Sequence, residues 1–383
     1  MDTTNGFKEI LKAAVQQRSI RYTATSGLSL RWEDDDTLAI NDTVQFQNIL
    51  GLLNLPAAEE IIISRDDTTP GWTVLDSFRQ VLSRAKNVSG RALIVVHYAG
   101  HGRVDSDGSL LFVERPGGRE IDADRSLFSL VGNYGHSFIR NIEHIDVLFI
   151  LDCCYGFVAY RDAETCPRIV EIISATTEND PLAFSPPKVT ITKKLAAEIT
   201  RRKRDGYQYI EIADVVATIR EKHSPAKKPG HCLKLGATSI CLPFTGLVRI
   251  NPAHIRPSLR AVFSVHLTED MTPNEINQLL NWVRTLPEFA SITLDGVYHT
   301  GSTCLVLSSA WSVWSKVSGM RGFGLVTEAT GPNALGQPHK ASEPTKMPER
   351  SALKPKGTFF ESMDMRKMKE RMGEMMGNLS LSK

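Results

Sequence analysis

Residues 92–102, ALIVVHYAGHG, and residues 147–156, VLFILDCCYG, decide the fold. Each is an apolar run that ends on glycine and on side chains able to do chemistry. Ala92–His97 shows no apolar/polar alternation, and a continuous run of this kind suits a strand buried on both faces, as in parallel sheets. Leu148–Leu151 is a second such run and Arg168–Ser174 (RIVEIIS) a third. Upstream, Leu28, Leu30 and Trp32 alternate as in a strand, and Glu60–Ser64 (EIIIS) is a short β-branched run. Helix patterns lie between them. Thr69-Pro70 is a favourable start, and Val74, Leu75, Phe78, Val81 and Leu82 then share one helical face. Further helical patterns surround Ser126–Ile142 and Thr190–Arg201. Strands alternating with helices predict an α/β domain with a doubly wound, mostly parallel sheet and helices on both faces.

The rest of the chain reads as appended parts. Residues 1–27 form an N-terminal extension with a polar amphipathic helix, and the α/β domain is expected over 28–245. A second module is expected over 258–330. There, Ala261–Leu267 is strand-like, Thr272-Pro273-Asn274-Glu275 is a capping box, and Ile276, Leu279, Leu280 and Val283 make a helix face. Strand patterns at Ser291–Tyr298 and Thr303–Leu307, a helix at Ala310–Val317 and a strand at Gly322–Thr327 complete a βαββαβ order. That order predicts a small α+β, ferredoxin-like sandwich. Glycine, proline and lysine accumulate over 331–357, as in a flexible linker. The basic, Met-rich tail that closes the chain suits either disorder or a soft partner-binding helix.

Composition removes several classes. The 383 residues carry a net charge of +2, which gives no electrostatic case for nucleic acid or a membrane surface. No run of about eighteen apolar residues is present to span a bilayer, and the N-terminus lacks a signal-peptide core. Six cysteines without paired spacing suggest free thiols in a reducing compartment, and a cytoplasmic address is expected.

The two opening stretches also bring reactive groups to strand ends, where open α/β sheets bind ligands. His101 lies in a glycine-flanked turn that frees it from the strand, whereas His97 keeps the strand alternation and reads as core. A thiolate is a nucleophile, and a nearby imidazole favours its formation and can later protonate a leaving amine. The backbone N–H groups of Gly102 and Cys154 can serve as an oxyanion hole. A zinc site from His97, His101, Cys153 and Cys154 is disfavoured, because a glycine-rich strand end separates the histidines, and no metal is expected. Spacing does not separate Cys153 from Cys154.

His97-Tyr98-Ala99-Gly100-His101-Gly102 resembles the Y-S-G-H-G block of metacaspases, and Asp152-Cys153-Cys154-Tyr155-Gly156 resembles their D-C-C-H-S-G block. The layout from about Leu28 to Leu242, including Trp32-Glu33-Asp34-Asp35-Asp36, is similar to caspase-like proteins of filamentous fungi. The separation of His101 and Cys154 by 53 positions is also close to the caspase spacing. The resemblance implies a caspase-like fold and a cysteine-type endopeptidase (a thiol protease of the peptidase C14 kind) with His101 as base and Cys154 as nucleophile. It further implies that Asp152 lines the pocket for the P1 side chain and selects protein or peptide substrates with arginine or lysine there. Asp42, in Leu38-Ala39-Ile40-Asn41-Asp42, is a second pocket acid by the same likeness, although the glycine and cysteine of that family block are absent. Glu178 or Asp180 in SATTEND is a third. Gly156 stands where the family has serine.

The resemblance also implies a role in regulated cell death. It offers calcium activation too, with Asp34–Asp36 and Asp105–Asp107 as loose candidates and no other cofactor. The basic run Arg201–Arg204 reads as a charged helix end or a self-cleavage site. The competing functional reading is a weak or inactive caspase-like domain that binds protein partners, with the C-terminal module and tail serving assembly. A thiol hydrolase of another kind is a third.

Overall fold

The computed structural model describes residues 8–9, 11–12, 22–132, 142–160, 168–177, 181–183, 189–222, 228–236, 239–245, 260–286, 290–299, 302–317 and 322–329. Met1–Gly336 forms one compact unit. In chain order its first part runs β1 (Tyr22–Trp32), α1 (Ala39–Leu52), β2 (Glu59–Ile63), α2 (Pro70–Lys86), β3 (Arg91–Ala99) and a small meander, β4 (His101–Val104), β5 (Leu110–Val113) and β6 (Glu120–Asp122). There follow β7 (Ile145–Asp152), β8 (Val170–Ser174), α3 (Ile191–Arg204), β9 (Tyr209–Glu211), α4 (Ile212–Glu221), β10 (Gly230–Leu235) and β11 (Cys241–Pro243).

The main sheet has the order β10-β8-β7-β3-β1-β2. Its first five strands in sequence pair in parallel, and β10 closes one edge antiparallel. The continuous apolar runs are explained by two cores. Ile94, Val96, Tyr98, Phe149 and Leu151 pack beneath α2 and the meander, while Leu93, Val95, Leu148 and Ile150 face α1, α3 and α4. Alternate residues therefore enter different cores, and both must be apolar.

Some elements depart from the sequence pattern. β1 begins at Tyr22 rather than near Leu28, because Tyr22–Ser26 is held by pairing with β3 and carries little apolar signal of its own. Within the helix pattern expected around Ser126–Ile142, the described residues form Asp124–Phe128 and then Ser129–Val131, and residues 133–141 lie outside the described residues. Gly132 then leaves the helical region with ψ 172°. The helix α1 gave no sequence signal, because its buried face includes Asp42 and Thr43 beside Phe46, Ile49 and Leu50.

The second part has the expected βαββαβ order: β12 (Arg260–His266), α5 (Pro273–Arg284), β13 (Thr293–His299), β14 (Thr303–Ala310), α6 (Trp311–Val317) and β15 (Phe323–Ala329). Its antiparallel sheet runs β13-β14-β12-β15. Thr272 and Glu275 form the capping box of α5. Ala213 and Ala217 of α4 enter this module's core, and Arg220 pairs with Glu328 at 2.8 Å. Among the described residues no helix is long and apolar enough to cross a membrane. The 331–383 linker and tail lie outside the described residues.

Candidate functional site

The strands β3 and β7 are adjacent and in register, with Ala99 opposite Asp152. The ladder closes where the Gly100 N–H donates to the Asp152 carbonyl at 3.3 Å. Both chains then leave the sheet together. Gly100 has φ +146°, and β4 starts at His101. The next residue meets β7's end: a Cβ on Gly102 would stand 2.2 Å from the Cys154 carbonyl oxygen and 3.1 Å from Cys153 Sγ. Only glycine lets the β4 strand lie this close. Tyr98 Oη donates to the His101 carbonyl at 2.7 Å, and the Tyr98 ring stacks on Phe112. The histidine backbone is thus tied to the sheet it has just left.

The two cysteines have different surroundings. Cys153 is fully buried in the core beneath α2, and burial pushes its thiol well above the ordinary range. Cys154 is 9% exposed, and its Sγ accepts the Ala183 N–H at 3.3 Å. An amide donor on sulfur favours the thiolate over the thiol. The chain turns sharply after it: Tyr155 has φ +57°, and its N–H donates to the Pro181 carbonyl at 2.9 Å. Gly156 packs against β8, where an added Cβ would lie 3.0 Å from Ser174 Cβ. This contact accounts for a glycine at position 156.

Asp152 and Asp42, the two expected pocket acids among the described residues, both bond to the N-terminus of α3. Asp152 Oδ2 accepts from the Thr192 N–H at 2.9 Å and from its hydroxyl at 2.7 Å. Asp42 Oδ1 accepts from Thr190 Oγ1 at 2.5 Å, and Thr190 is the N-cap of that helix. Partial positive charge at a helix N-terminus favours carboxylates there. Glu178 and Asp180 lie outside the described residues. His97 is core, as the strand alternation indicates. Its ring stacks on Phe46, with Nδ1 3.1 Å from Ser29 Oγ and Nε2 3.0 Å from Thr192 Oγ1. Burial pulls this imidazole down to about 3, so it is neutral. Because the Thr192 hydroxyl donates to Asp152, it accepts from His97, which assigns the Nε2–H tautomer.

The acidic run after β1 is not a free calcium loop. Asp34 pairs with Arg65 at 2.9 Å. Asp35 accepts from the Thr37 N–H and hydroxyl and from the Ala39 N–H, capping α1. Asp36 Oδ1 lies 2.5 Å from His101 Nε2. Asp35, Asp36 and His101 do place one ligand atom each within 4.8 Å of one another. Calcium takes six to eight oxygens, and these carboxylates are committed to neighbours. Asp105 Oδ1 likewise accepts the N–H groups of Asp107 and Ser109 within its turn. These residues do not fit a calcium cage. The Asp36–His101 contact escaped the sequence reading. Its one available signal was an acidic residue just beyond the strand that neighbours β3.

The basic run forms the last turn of α3, and one of its members is built into the core. Arg202 is 2% exposed, binds Glu198 at 3.0 Å and the Thr218 hydroxyl at 2.8 Å, and lies inside α3. Cleavage after Arg202 would require the last turn of α3 to unwind and Arg202 to leave its buried partners, whereas Arg204 ends the helix with its side chain 75% exposed.

No family model and no curated protein matches the chain. Among solved structures, protein GSU0716 from Geobacter sulfurreducens is 13% identical, with TM-score 0.36, over 55% of this chain and 94% of its own. The crystal structure of drICE is 10% identical, with TM-score 0.29, over 58% of this chain and 98% of its own.

Proposed function

We propose that the chain is a cysteine-type endopeptidase of the caspase–metacaspase kind, with Cys154 as nucleophile and His101 as base. The observation that carries this reading is the contact of Gly102 with the Cys154 carbonyl. It sets the histidine turn and the cysteine bend against each other at the carboxyl ends of two parallel strands, where such sheets bind ligands. His101 takes the Cys154 proton, and the thiolate adds to the scissile carbonyl. The resulting oxyanion is met by the N–H groups of Gly102 and Cys154. The imidazolium then protonates the departing amine, and water hydrolyses the thioester by the reverse sequence. The Ala183 N–H on Sγ supports the thiolate in this scheme.

Asp152 and Asp42, held together at one helix end, support a pocket for a basic P1 side chain. The proposal extends, on family resemblance alone, to a cytoplasmic setting and a part in regulated cell death. The test is turnover of peptides bearing Arg, Lys or Asp at P1 by wild type, Cys154→Ala and Asp152→Asn. Cleavage after Arg or Lys that vanishes in Cys154→Ala and loses its P1 preference in Asp152→Asn is expected. Absence of turnover, with Cys154 inert to an electrophilic peptide, would leave the protein-interaction reading standing instead.

A further inference from the structure

We propose that Asp36 is the positioning residue for His101. It holds the ring as the Nε2–H tautomer and leaves Nδ1 as the nitrogen that exchanges a proton with Cys154. This rests on the His101–Cys154 reading above. A carboxylate only accepts, so the 2.5 Å contact of Asp36 Oδ1 with His101 Nε2 puts the hydrogen on Nε2. Which nitrogen carries the proton is set by the bond the other nitrogen makes, and here that leaves Nδ1 basic.

The carboxylate is held in place by its neighbours. Glu33 accepts the Ser64 hydroxyl and the Arg65 N–H, and Asp34 pairs with the Arg65 guanidinium. Asp35 ties down Thr37 and Ala39 on the other side. The loop also abuts the turn before His101, since a Cβ on Gly100 would stand 3.6 Å from Asp35 Oδ1. The topology brings this about: β1 lies beside β3, so the loop leaving β1 falls at the point where β3 delivers His101.

The competing account is an ordinary surface ion pair. The Asp36 side chain is 65% exposed and that of His101 24%, so the contact adds little to stability, and salt screens it. That same exposure makes the test clean, because removing the Asp36 carboxylate should leave the melting temperature unchanged.

The experiment measures iodoacetamide alkylation of Cys154 by peptide mass mapping, beside kcat and KM for a basic-P1 peptide. The proteins are wild type, Asp36→Ala, Asp36→Asn, Asp36→Glu, His101→Ala and the double variant Asp36→Ala/His101→Ala. Asp36→Ala should slow alkylation and lower kcat by about 10-fold with KM little changed, the scale expected for one lost charge-assisted hydrogen bond. Asp36→Asn, which keeps an acceptor, should fall between, and Asp36→Glu should recover part of the loss. In the His101→Ala background Asp36→Ala should have no further effect. A wild-type rate in Asp36→Ala, or the same factor lost with and without His101, overturns the proposal while leaving the protease reading intact. Wild-type Cys154 reacting no faster than in His101→Ala overturns both.

Discussion

Replacing Gly102 by alanine tests the packing that joins the two halves of the site. The added Cβ would sit 2.2 Å from the Cys154 carbonyl oxygen, whereas ordinary contact begins near 3.4 Å. The obstacle is backbone, so no rotamer change relieves it, and β4 must move away from β7 by about 1.2 Å. Overpacking of this kind costs about 1–3 kcal/mol. Misplacing reacting groups by about 1 Å costs about 100-fold in rate. Gly102→Ala should therefore melt several degrees lower and alkylate Cys154 far more slowly, with the larger effect on reactivity. Gly51→Ala is the control. It lies in α1 with nothing within 4 Å of an added Cβ, and glycine-to-alanine in a helix stabilises by about 0.5–1 kcal/mol. The assay pairs thermal denaturation with alkylation kinetics read by mass spectrometry. A Gly102→Ala protein with wild-type melting and wild-type Cys154 reactivity would refute the close approach, and with it the argument that the hairpin positions the site.

Glu198 predicts an acid limb of stability. Burial alone would raise its carboxyl, but hydrogen bonds from Arg201, Lys222 and Arg202 outweigh burial and hold it at about 2 against an ordinary 4.5. A depressed folded pKa contributes stability above about pH 4.5 that is lost as pH falls towards about 2, here about 3 kcal/mol. Urea melts from pH 7 to pH 3 should show this limb, and Glu198→Gln should flatten it; a parallel limb in the variant contradicts the assignment. Cys153→Ser should cost about 1–3 kcal/mol by burying a hydroxyl in apolar surroundings. It should also leave Cys154 alkylation intact, and a folded Cys153→Ser protein that loses reactivity would reverse the roles of the two cysteines.

What the sequence revealed depended on how each element is stabilised. The doubly wound sheet was legible because the middles of β3 and β7, Ala92–Val96 and Val147–Leu151, are buried on both faces and are apolar without a break. The βαββαβ module was legible because Thr272–Glu275 and the apolar face of α5 are local signals. The helix α1 was not, since its inward residues include Asp42 and Thr43, and its first turn is capped from outside by Asp35. The same limit applies at the site. His101 and the cysteine pair announced themselves through glycines at strand ends. Asp36, 65 positions upstream of His101, meets its partner only through the sheet order β3-β1. Thr190 and Thr192, which anchor Asp42 and Asp152, likewise depend on where α3 begins.

The helix α4 carries two cores on opposite sides: Val215, Val216 and Ile219 belong to the α/β domain, and Ala213 and Ala217 to the βαββαβ module. A wall shared by two rooms cannot be removed with either. Cutting the chain after residue 245 would bare the alanine face of α4 and strip Arg220 of Glu328, so the α/β half is not a detachable piece. The two folds should melt in one transition, and anything that grips the module pulls on the same helix that flanks β10 and α3.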